Sequence, residues 1–582
     1  MLKKLKKELY HRLTSGNADI AFYTGTYVAG NKEWIFKRPF KFVWNLIKIN
    51  LYCLVLHKNY AFKEFVPGRK CIARIHRRSK VYLYAADIMK YPYIITDIFH
   101  SLLELSQDMD SIFHKIEEAN HLPGFYQLRK KKINSYQTIT SIYEEISKEL
   151  SLPISKDMEI SMLKRHLVIN PYLKRALEIA AYNHSSMIGI LETSYSKEDI
   201  EDILSGFSIK LSEIYVSSEQ KLPFRRMRNE FMKQHTMEKD KMEEKFAVVS
   251  ANFGSACKTS ARYKFAAYYY RSSKEIMRSI PLPPMSKEFK EVYQTIAGIE
   301  LFGGQYNHKN LYEITYLYLA PAVYAFLEET YQMALCSNAA VIALCDPECI
   351  FAILYSKYFG ELNPCIWTGF AGSFPAVKED WDDLIEDCYI INSYPAGRIA
   401  SSLGFSFQDH LLKDCREEFI EEARENSRLK AGEAVLRYLK QYLRDNQNLF
   451  VVDPMPGKSS LNSFLQCAME IDSGIKISTL SMSQYLNKDA KELQTLHRIL
   501  QMDMPYLTGI YEDEIAFVQP NFMDEGKKEI IKQALTDYCH AFSTYQEKNA
   551  DLILDPSDIN AILDHAKEGL FVLEEELGGA IV

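Results

Sequence analysis

The chain has 582 residues, of which 47% are hydrophobic and 25% charged, a composition that excludes a fibrous or largely disordered protein. Its eleven cysteines are scattered singly, which argues against a disulfide framework or a zinc site and predicts reduced thiols in the cytoplasm. The net charge of −6 conceals an asymmetry, since residues 1–80 hold 18 Lys and Arg against 4 Asp and Glu, a balance of +14 that leaves −20 for the remainder.

The N-terminal segment, residues 1–85, is basic and rich in aromatic side chains. It has no apolar secretory signal, and its most apolar stretch, from Phe42 to Leu56, is too short to span a bilayer. A basic helix with Trp and Phe can lie in a membrane interface, and it can equally pack on the body of the protein with lysines at its rim. The segment contains no base-reading motif, so a nucleic acid is not an expected partner.

Residues 86–283 alternate between strand and helix patterns, which predicts an α/β domain with a parallel sheet. The predicted strands lie at the start of 91–103 and at 186–191, 213–218 and 246–249, and the predicted helices cover 107–120, 140–150, the start of 170–218 and a segment opening near Ser196.

The sequence PLPP (281–284) predicts a linker. A second α/β domain is predicted over 284–525, followed by a helical tail over 526–582. Within the tail, Asp555 or Ser557 is the predicted N-cap of a helix. Within the second domain the patterns predict a helical stretch over 312–334 kinked at Pro321, a buried strand over 339–344, a helix over 348–359, and further helix over 416–445.

The segment YIITDIFHSLLEL (93–105) resembles the opening strand of haloacid dehalogenase-like (HAD-like) hydrolases. The most similar branch is a bacterial one with the first motif FDIFDTLL, often encoded among surface-polysaccharide and glycosyltransferase genes. The resemblance continues in chain order through HLPGFYQLRKKK (121–132), TSIYEEI (140–146), NPYLKRALEIA (170–180), KEDIEDIL (197–204) and EIYVSSE (213–219), and more weakly through 320–334 and 451–461. It implies a HAD-like Rossmannoid domain with a helical cap insertion.

Phosphohydrolysis in this family uses an Asp nucleophile, a hydroxyl and a Lys that bind the transferring group, and acidic residues that hold Mg²⁺. The resemblance places Asp97 at the nucleophile position, which makes Asp97 the one candidate catalytic residue. An Asp at a strand end is also commonly a turn or helix-capping residue, and His100 close by is typical of a packed histidine.

The other family positions have lost their chemistry. The position two residues after Asp97 is a Phe, the second-motif hydroxyl falls on a Leu unless the alignment slips to Thr193 or Ser194, and the fourth-motif acids fall on Ser and Ala. The residues at these family positions are Phe99, His100, Ser101, Leu191, Glu192, Phe224 with Arg225, Ser250, Ala251 and Ala256.

Three further patterns have ordinary structural explanations. The GKS at 457–459 lacks the first glycine of a phosphate loop, and Pro454 and Pro456 remove backbone donors, so it is typical of a strand-to-helix turn. The glycine-containing loops at 302–308 and 370–374 are typical of turns, and the acidic run at 378–388 has the spacing of a solvated helix.

The sequence thus favours a catalytically degenerate HAD-like protein, a cytoplasmic accessory or binding protein linked through the resemblance to bacterial surface-glycan assembly. Its basic N-terminal segment would contact the inner face of a membrane or a glycan-assembly protein, and no cofactor is predicted. Two alternatives remain open: a residual Mg²⁺-dependent phosphohydrolase acting through Asp97, and a transferase-type site in residues 284–525.

Overall fold

A computed structural model describes Thr24 and, with short gaps, residues 39–54, 73–75, 88–234, 245–251, 266–303, 310–367, 395–426, 438–443, 448–482, 506–518 and 524–566. The chain divides into two compact units. The first comprises Met1–Pro281 and Lys287–Asn307, and the second comprises Leu282–Ser286 and His308–Val582. The predicted four-part division, with boundaries after residues 85, 283 and 525, groups the chain differently and stays a prediction.

The first unit contains eight described strands and eleven described helices. The strands are β1 (Ala73–Ile75), β2 (Tyr93–Thr96), β3 (Leu103–Leu105), β4 (Leu167–Ile169), β5 (Ser186–Leu191), β6 (Glu213–Val216), β7 (Phe246–Ser250) and β8 (Ala266–Tyr269). The helices are α1 (Pro39–Leu54), α2 (Met109–Ala119), α3 (Phe125–Lys131), α4 (Ile139–Leu150), α5 (Asp157–His166), α6 (Pro171–Tyr182), α7 (Lys197–Ser205), α8 (Ser217–Gln220), α9 (Phe224–Gln234), α10 (Ser273–Met277) and α11 (Lys287–Phe302).

The main sheet of this unit is parallel, with the order β1-β8-β7-β2-β5-β6. Strand β2 lies in its interior between β7 and β5, and Thr96 is paired with both Val249 and Gly189. The apolar residues of β2, β5 and β7 are buried on both faces of the sheet. The continuous apolar runs that predicted these strands are therefore those of a parallel sheet covered on both sides.

The predicted elements agree closely with this layout. Strand β5 has the predicted limits, and helix α7 begins after Ser196, whose hydroxyl and the carboxylate of Asp199 form a reciprocal capping box. The predicted strand 213–218 ends two residues early. Ser217 and Ser218 instead begin helix α8, and their hydroxyls donate hydrogen bonds to backbone carbonyls. Such side-chain bonds compete with the hydrogen bonds of a strand.

Four helices, α2 to α5, lie between two short strands that pair antiparallel, β3 and β4. Their apolar faces share one core with residues of the main domain, including Leu191, Tyr195 and Ile200. The insertion is therefore packed against the carboxyl-terminal side of the strands that follow β2.

The second unit holds a smaller parallel sheet and an antiparallel hairpin. Its strands are β9 (Ala340–Ala343), β10 (Asn363–Pro364), β11 (Asn448–Asp453), β12 (Lys476–Ser481), β13 (Tyr506–Tyr511) and β14 (Glu514–Val518), with the sheet order β10-β9-β11-β12. Its helices are α12 (Asn310–Ile314), α13 (Ala320–Ser337), α14 (Ile350–Tyr358), α15 (Arg416–Asn426), α16 (Lys458–Ile471) and α17 (Glu525–Gln546), with a π-helical segment at Thr315–Leu319 and a 3-10 turn at Leu412–Asp414.

The predicted break at Pro321 corresponds to the π-helical turn that immediately precedes it. A proline has no N–H to donate, so the helix changes its hydrogen-bonding period over Thr315–Leu319, and the α-helix resumes at Ala320 with Pro321 in its first turn. Both units are thus α/β with parallel sheets, which confirms the predicted fold class at that level. The helix caps predicted at Asp555 or Ser557 lie outside the described residues, and the tail helix that the structure describes begins after Asp524.

Across the described part of the chain, no helix combines the length and the apolar character that crossing a bilayer requires.

Candidate functional site

The carboxyl end of β2 lies where the chain reverses its direction of travel across the main sheet. From β2 the chain moves to β5 and β6 on one side, and then to β7 and β8 on the other. In open parallel sheets ligands bind outside the carboxyl ends of the strands at such a point. The first residue after β2 is Asp97, and the residues at the end of the neighbouring strand β7 are Ser250 and Ala251.

The Asp97 carboxylate is held from both sides. Its Oδ1 accepts a hydrogen bond of 2.8 Å from the hydroxyl of Ser101, and its Oδ2 accepts one from the hydroxyl of Ser250 and one of 3.1 Å from the backbone N–H of Ala251. Ser101 and Ser250 are buried, whereas Asp97 is half-buried. These three donors are neutral. Ser101 lies four residues after Asp97, whereas Ser250 and Ala251 lie 153 and 154 residues after it.

The backbone after Asp97 is strained in a way that fixes this orientation. Ile98 has φ of 63° and His100 has φ of 68°, and a β-branched residue in the left-handed region is an energetically costly outlier. The turn is stabilised because the carbonyl of Ile98 accepts the N–H groups of Leu102 and Leu103 at 2.9 and 3.0 Å. Strain of this kind concentrates at functional sites, which supports a role for Asp97 beyond that of a turn residue.

Phe99 and His100, the residues two and three positions after Asp97, differ in their exposure. His100 is exposed and does not pack as a core histidine, whereas Phe99 is half-buried against the core that the helical insertion shares. The prediction that His100 is a packed histidine is therefore wrong.

The second-motif positions are engaged in structural contacts. Leu191 is buried in the core, and the carboxylate of Glu192 accepts the N–H of Phe224 at 2.6 Å at the start of α9. In the shifted alternative, the hydroxyl of Thr193 accepts the N–H of Tyr195 at 3.3 Å, and the Ser194 carbonyl accepts the N–H of Ile139 at 2.7 Å. These bonds tie the loop after β5 to helices α4 and α9.

The third-motif region contains a basic residue that the sequence comparison missed. Arg225, next to the family's Lys position, is exposed, whereas Arg228 is completely buried on the same helix α9. Arg228 follows the buried Phe224 by four residues and precedes the buried Phe231 by three. That helical spacing was the available signal, since it places an arginine on the apolar face of the helix.

Strand β7, which resembles the fourth motif, offers no carboxylate to Asp97, because Ser250 and Ala251 stand where the resemblance places its first acids, and Ala256 lies outside the described residues. Within the described ranges, no three His, Cys, Asp or Glu side chains come together in a group that could hold a metal ion. The described donors to Asp97 include two hydroxyls and a backbone amide, which bind the oxygens of this carboxylate.

The structure describes only part of the GKS sequence, the two glycine-containing loops and the acidic run. Lys458 of the GKS sequence begins helix α16 directly after strand β11 and its loop, as expected for a strand-to-helix turn. Gly457, the loop at 370–374, the acidic run at 378–388 and residues 304–308 of the first glycine-containing loop lie outside the described residues.

In comparisons with known proteins, the chain matches no family model, and no curated protein matches its sequence.

Proposed function

We propose that the first unit is a HAD-like Rossmannoid domain with a helical cap, and that it has lost phosphohydrolysis and acts as a cytoplasmic accessory or binding protein in the assembly of a bacterial surface glycan. The glycan link rests on the resemblance of the first motif and its neighbours alone.

The arrangement of the elements supports the family assignment. The strand that carries Asp97 lies between the strands that resemble the second and fourth motifs, β5 and β7, as a shared active site requires. The segments 121–132 and 140–146, which resemble cap segments of that family, fall within the four-helix insertion between β3 and β4. Active-site caps in such a position can cover the carboxyl ends of the strands.

One observation carries the loss of catalysis: the two oxygens of Asp97 accept hydrogen bonds from Ser101, Ser250 and Ala251. A nucleophilic carboxylate in this chemistry shares Mg²⁺ with further acids, which neutralises the phosphate it attacks. Here the Ser250 hydroxyl and the Ala251 amide occupy the place of the fourth-motif acid. These three donors stabilise the charge of the carboxylate.

We expect the thermal unfolding midpoint of the native protein to be unchanged when Mg²⁺ is added. The Ser250→Gly/Ala251→Asp variant restores a second carboxylate beside Asp97 and removes the competing hydroxyl, so its midpoint should rise with Mg²⁺ by roughly 2 °C or more, through binding to the folded state. Differential scanning calorimetry with and without Mg²⁺ measures both.

The matched control is Ala181→Asp, which adds a carboxylate at an exposed position of the same unit and should give no rise. A Mg²⁺-dependent rise in the native protein that Asp97→Asn abolishes would instead favour the residual phosphohydrolase. Hydrolysis of p-nitrophenyl phosphate by the native protein, lost in the same variant, would lead to the same conclusion.

The link to glycan assembly has a separate test in the bacterium that encodes the protein. We expect deletion of the gene to change the amount or chain length of the surface polysaccharide, measured by gel electrophoresis of extracted glycan. A gene carrying Asp97→Asn should restore the native pattern as well as the unaltered gene, because the proposed role needs no nucleophile. Unaltered glycan after deletion would remove this link, and failure of Asp97→Asn alone would point to catalysis.

A further inference from the structure

Helix α1 (Pro39–Leu54) has apolar side chains on two opposite faces. Phe42, Leu46 and Ile49 are 4%, 1% and 0% exposed, and their spacing of three and four residues forms one buried face. The helix is thus already fixed to the protein, and its remaining apolar residues are not needed for that contact.

The second face is a stripe that stays in solvent. It consists of Phe40, Trp44, Ile47 and Leu51, which are 92%, 64%, 43% and 50% exposed. Spacings of four, three and four residues put these side chains in one line along the helix. From Phe40 to Leu51, eleven rises of the helix, the stripe is about 16 Å long. A contiguous apolar stripe of this kind in solvent marks an interaction surface.

The sequence around the stripe carries charge of one sign. Residues 34–63 contain six Lys or Arg and no Asp or Glu, and within α1 the exposed Lys48 follows Trp44 by one helical turn. Apolar and aromatic side chains bordered by basic ones match the two layers of an anionic bilayer surface, where rings and aliphatic chains enter the interface and ammonium groups meet lipid phosphates.

We propose that the exposed stripe of helix α1 docks the protein on the surface of an anionic membrane, with the helix axis parallel to the bilayer and the opposite face of the helix held by the protein. Trp44 and Phe40 would enter the headgroup region, and Lys48 would pair with lipid phosphates. This surface is independent of the site at Asp97.

Flotation of the full chain with lipid vesicles tests the proposal. We expect binding to vesicles of phosphatidylcholine mixed with phosphatidylglycerol, weak binding to phosphatidylcholine alone, and release as salt is raised. The Trp44→Gln/Leu51→Gln variant should lose about tenfold or more in affinity, and Lys48→Glu about fivefold. Asp97→Asn should bind as the native protein does.

The matched control is Ile133→Gln/Tyr182→Gln, which removes two apolar side chains that are 65% and 87% exposed elsewhere in the same unit. It should bind vesicles as the native protein does, with all variants checked for an unchanged circular dichroism spectrum. Equal binding to neutral and anionic vesicles, no binding of the native protein, or unchanged binding of Trp44→Gln/Leu51→Gln would overturn the proposal. So would a concentration-dependent dimer that only the stripe variant dissolves, since a second copy would then cover the stripe.

Discussion

Replacing Glu159 with Gln is expected to destabilise the first unit by about 3–5 kcal/mol, the usual cost of leaving a buried charge without its partner. Glu159 and Arg129 are both buried, and the guanidinium donates two hydrogen bonds of 2.7 and 2.9 Å to the two carboxylate oxygens. The hydroxyls of Tyr143 and Tyr195 donate to the same carboxylate at 2.9 and 2.6 Å.

This network joins the helical insertion to the main domain. Arg129, Tyr143 and Glu159 stand on helices α3, α4 and α5, whereas Tyr195 belongs to the loop after β5. Burial alone would lower the pKa of Arg129, but the adjacent charge of Glu159 raises it above its ordinary value. Burial and the same charge raise the pKa of Tyr195, so its hydroxyl keeps the proton that it donates.

Urea unfolding followed by circular dichroism gives the change in midpoint for Glu159→Gln. The matched control is Asp202→Asn, which breaks a 2.7 Å ion pair with Lys164 whose side chains are 57% and 34% exposed. It should cost less than about 1 kcal/mol. The double variant Arg129→Met/Glu159→Gln should regain part of the loss, because it leaves no buried charge unpaired. Equal midpoints for Glu159→Gln and Asp202→Asn would contradict the structural role of the network.

Local patterns predicted several elements well, because the limits of those elements depend on near neighbours. The limits of β5 follow from an apolar run between polar residues, and the start of α7 follows from Ser196 and Asp199, which satisfy each other's backbone groups. The break at Pro321 follows from the missing N–H of one residue.

Contacts between distant residues could not be predicted in this way. Arg129 opens the basic run RKKK, which has the composition of a solvated surface, yet its partner Glu159 lies 30 residues away. The contact between Asp97 and Ser250 spans 153 residues and exists because β2 and β7 are neighbours in the sheet. The sequence predicted Asp97 as the candidate residue and the loss of the fourth-motif acid. It did not predict that Ser250 would bind the carboxylate that remains.

The second large effect is a fall in stability as the pH rises from about 4.5 to about 7. Burial raises the pKa of Glu104 from 4.5 to about 7, although the N–H groups of Ser273 and Lys274 donate to its oxygens at 3.0 and 3.2 Å and oppose the shift. In the second unit, burial raises the pKa of Glu328 to about 7 as well, against a hydrogen bond of 2.9 Å from the amide of Gln546.

The direction follows from which state holds the proton. Below the pKa of the unfolded chain, near 4.5, the carboxyl group is protonated in both states, and its contribution to the free energy of unfolding is fully present. Between 4.5 and 7 the unfolded chain has lost the proton that the folded chain retains, so the free energy of unfolding falls as the pH rises and levels off above 7. A pKa raised from 4.5 to about 7 corresponds to about 3 kcal/mol for each carboxyl group. Burial would raise the pKa of Asp199, but Lys156 and Ser196 lower it below its ordinary value. Its effect on the free energy of unfolding therefore falls below the range from pH 4.5 to 7.

We therefore expect Glu104→Gln to match the native protein near pH 4.5 and to exceed its stability above pH 7, by up to about 3 kcal/mol for the first unit. The amide of Gln resembles the protonated carboxyl and carries no charge to desolvate. The part of the pH dependence of stability that Glu104 contributes therefore disappears. Glu328→Gln should do the same for the second unit, while Glu361→Gln, at an exposed position, should leave the profile unchanged. Thermal unfolding midpoints measured from pH 4.5 to 8 distinguish these outcomes. A stability that rises through this range in the native protein, or a Glu104→Gln variant that keeps the native slope, would mean that Glu104 folds as a charged partner of Lys274 rather than as a neutral acid.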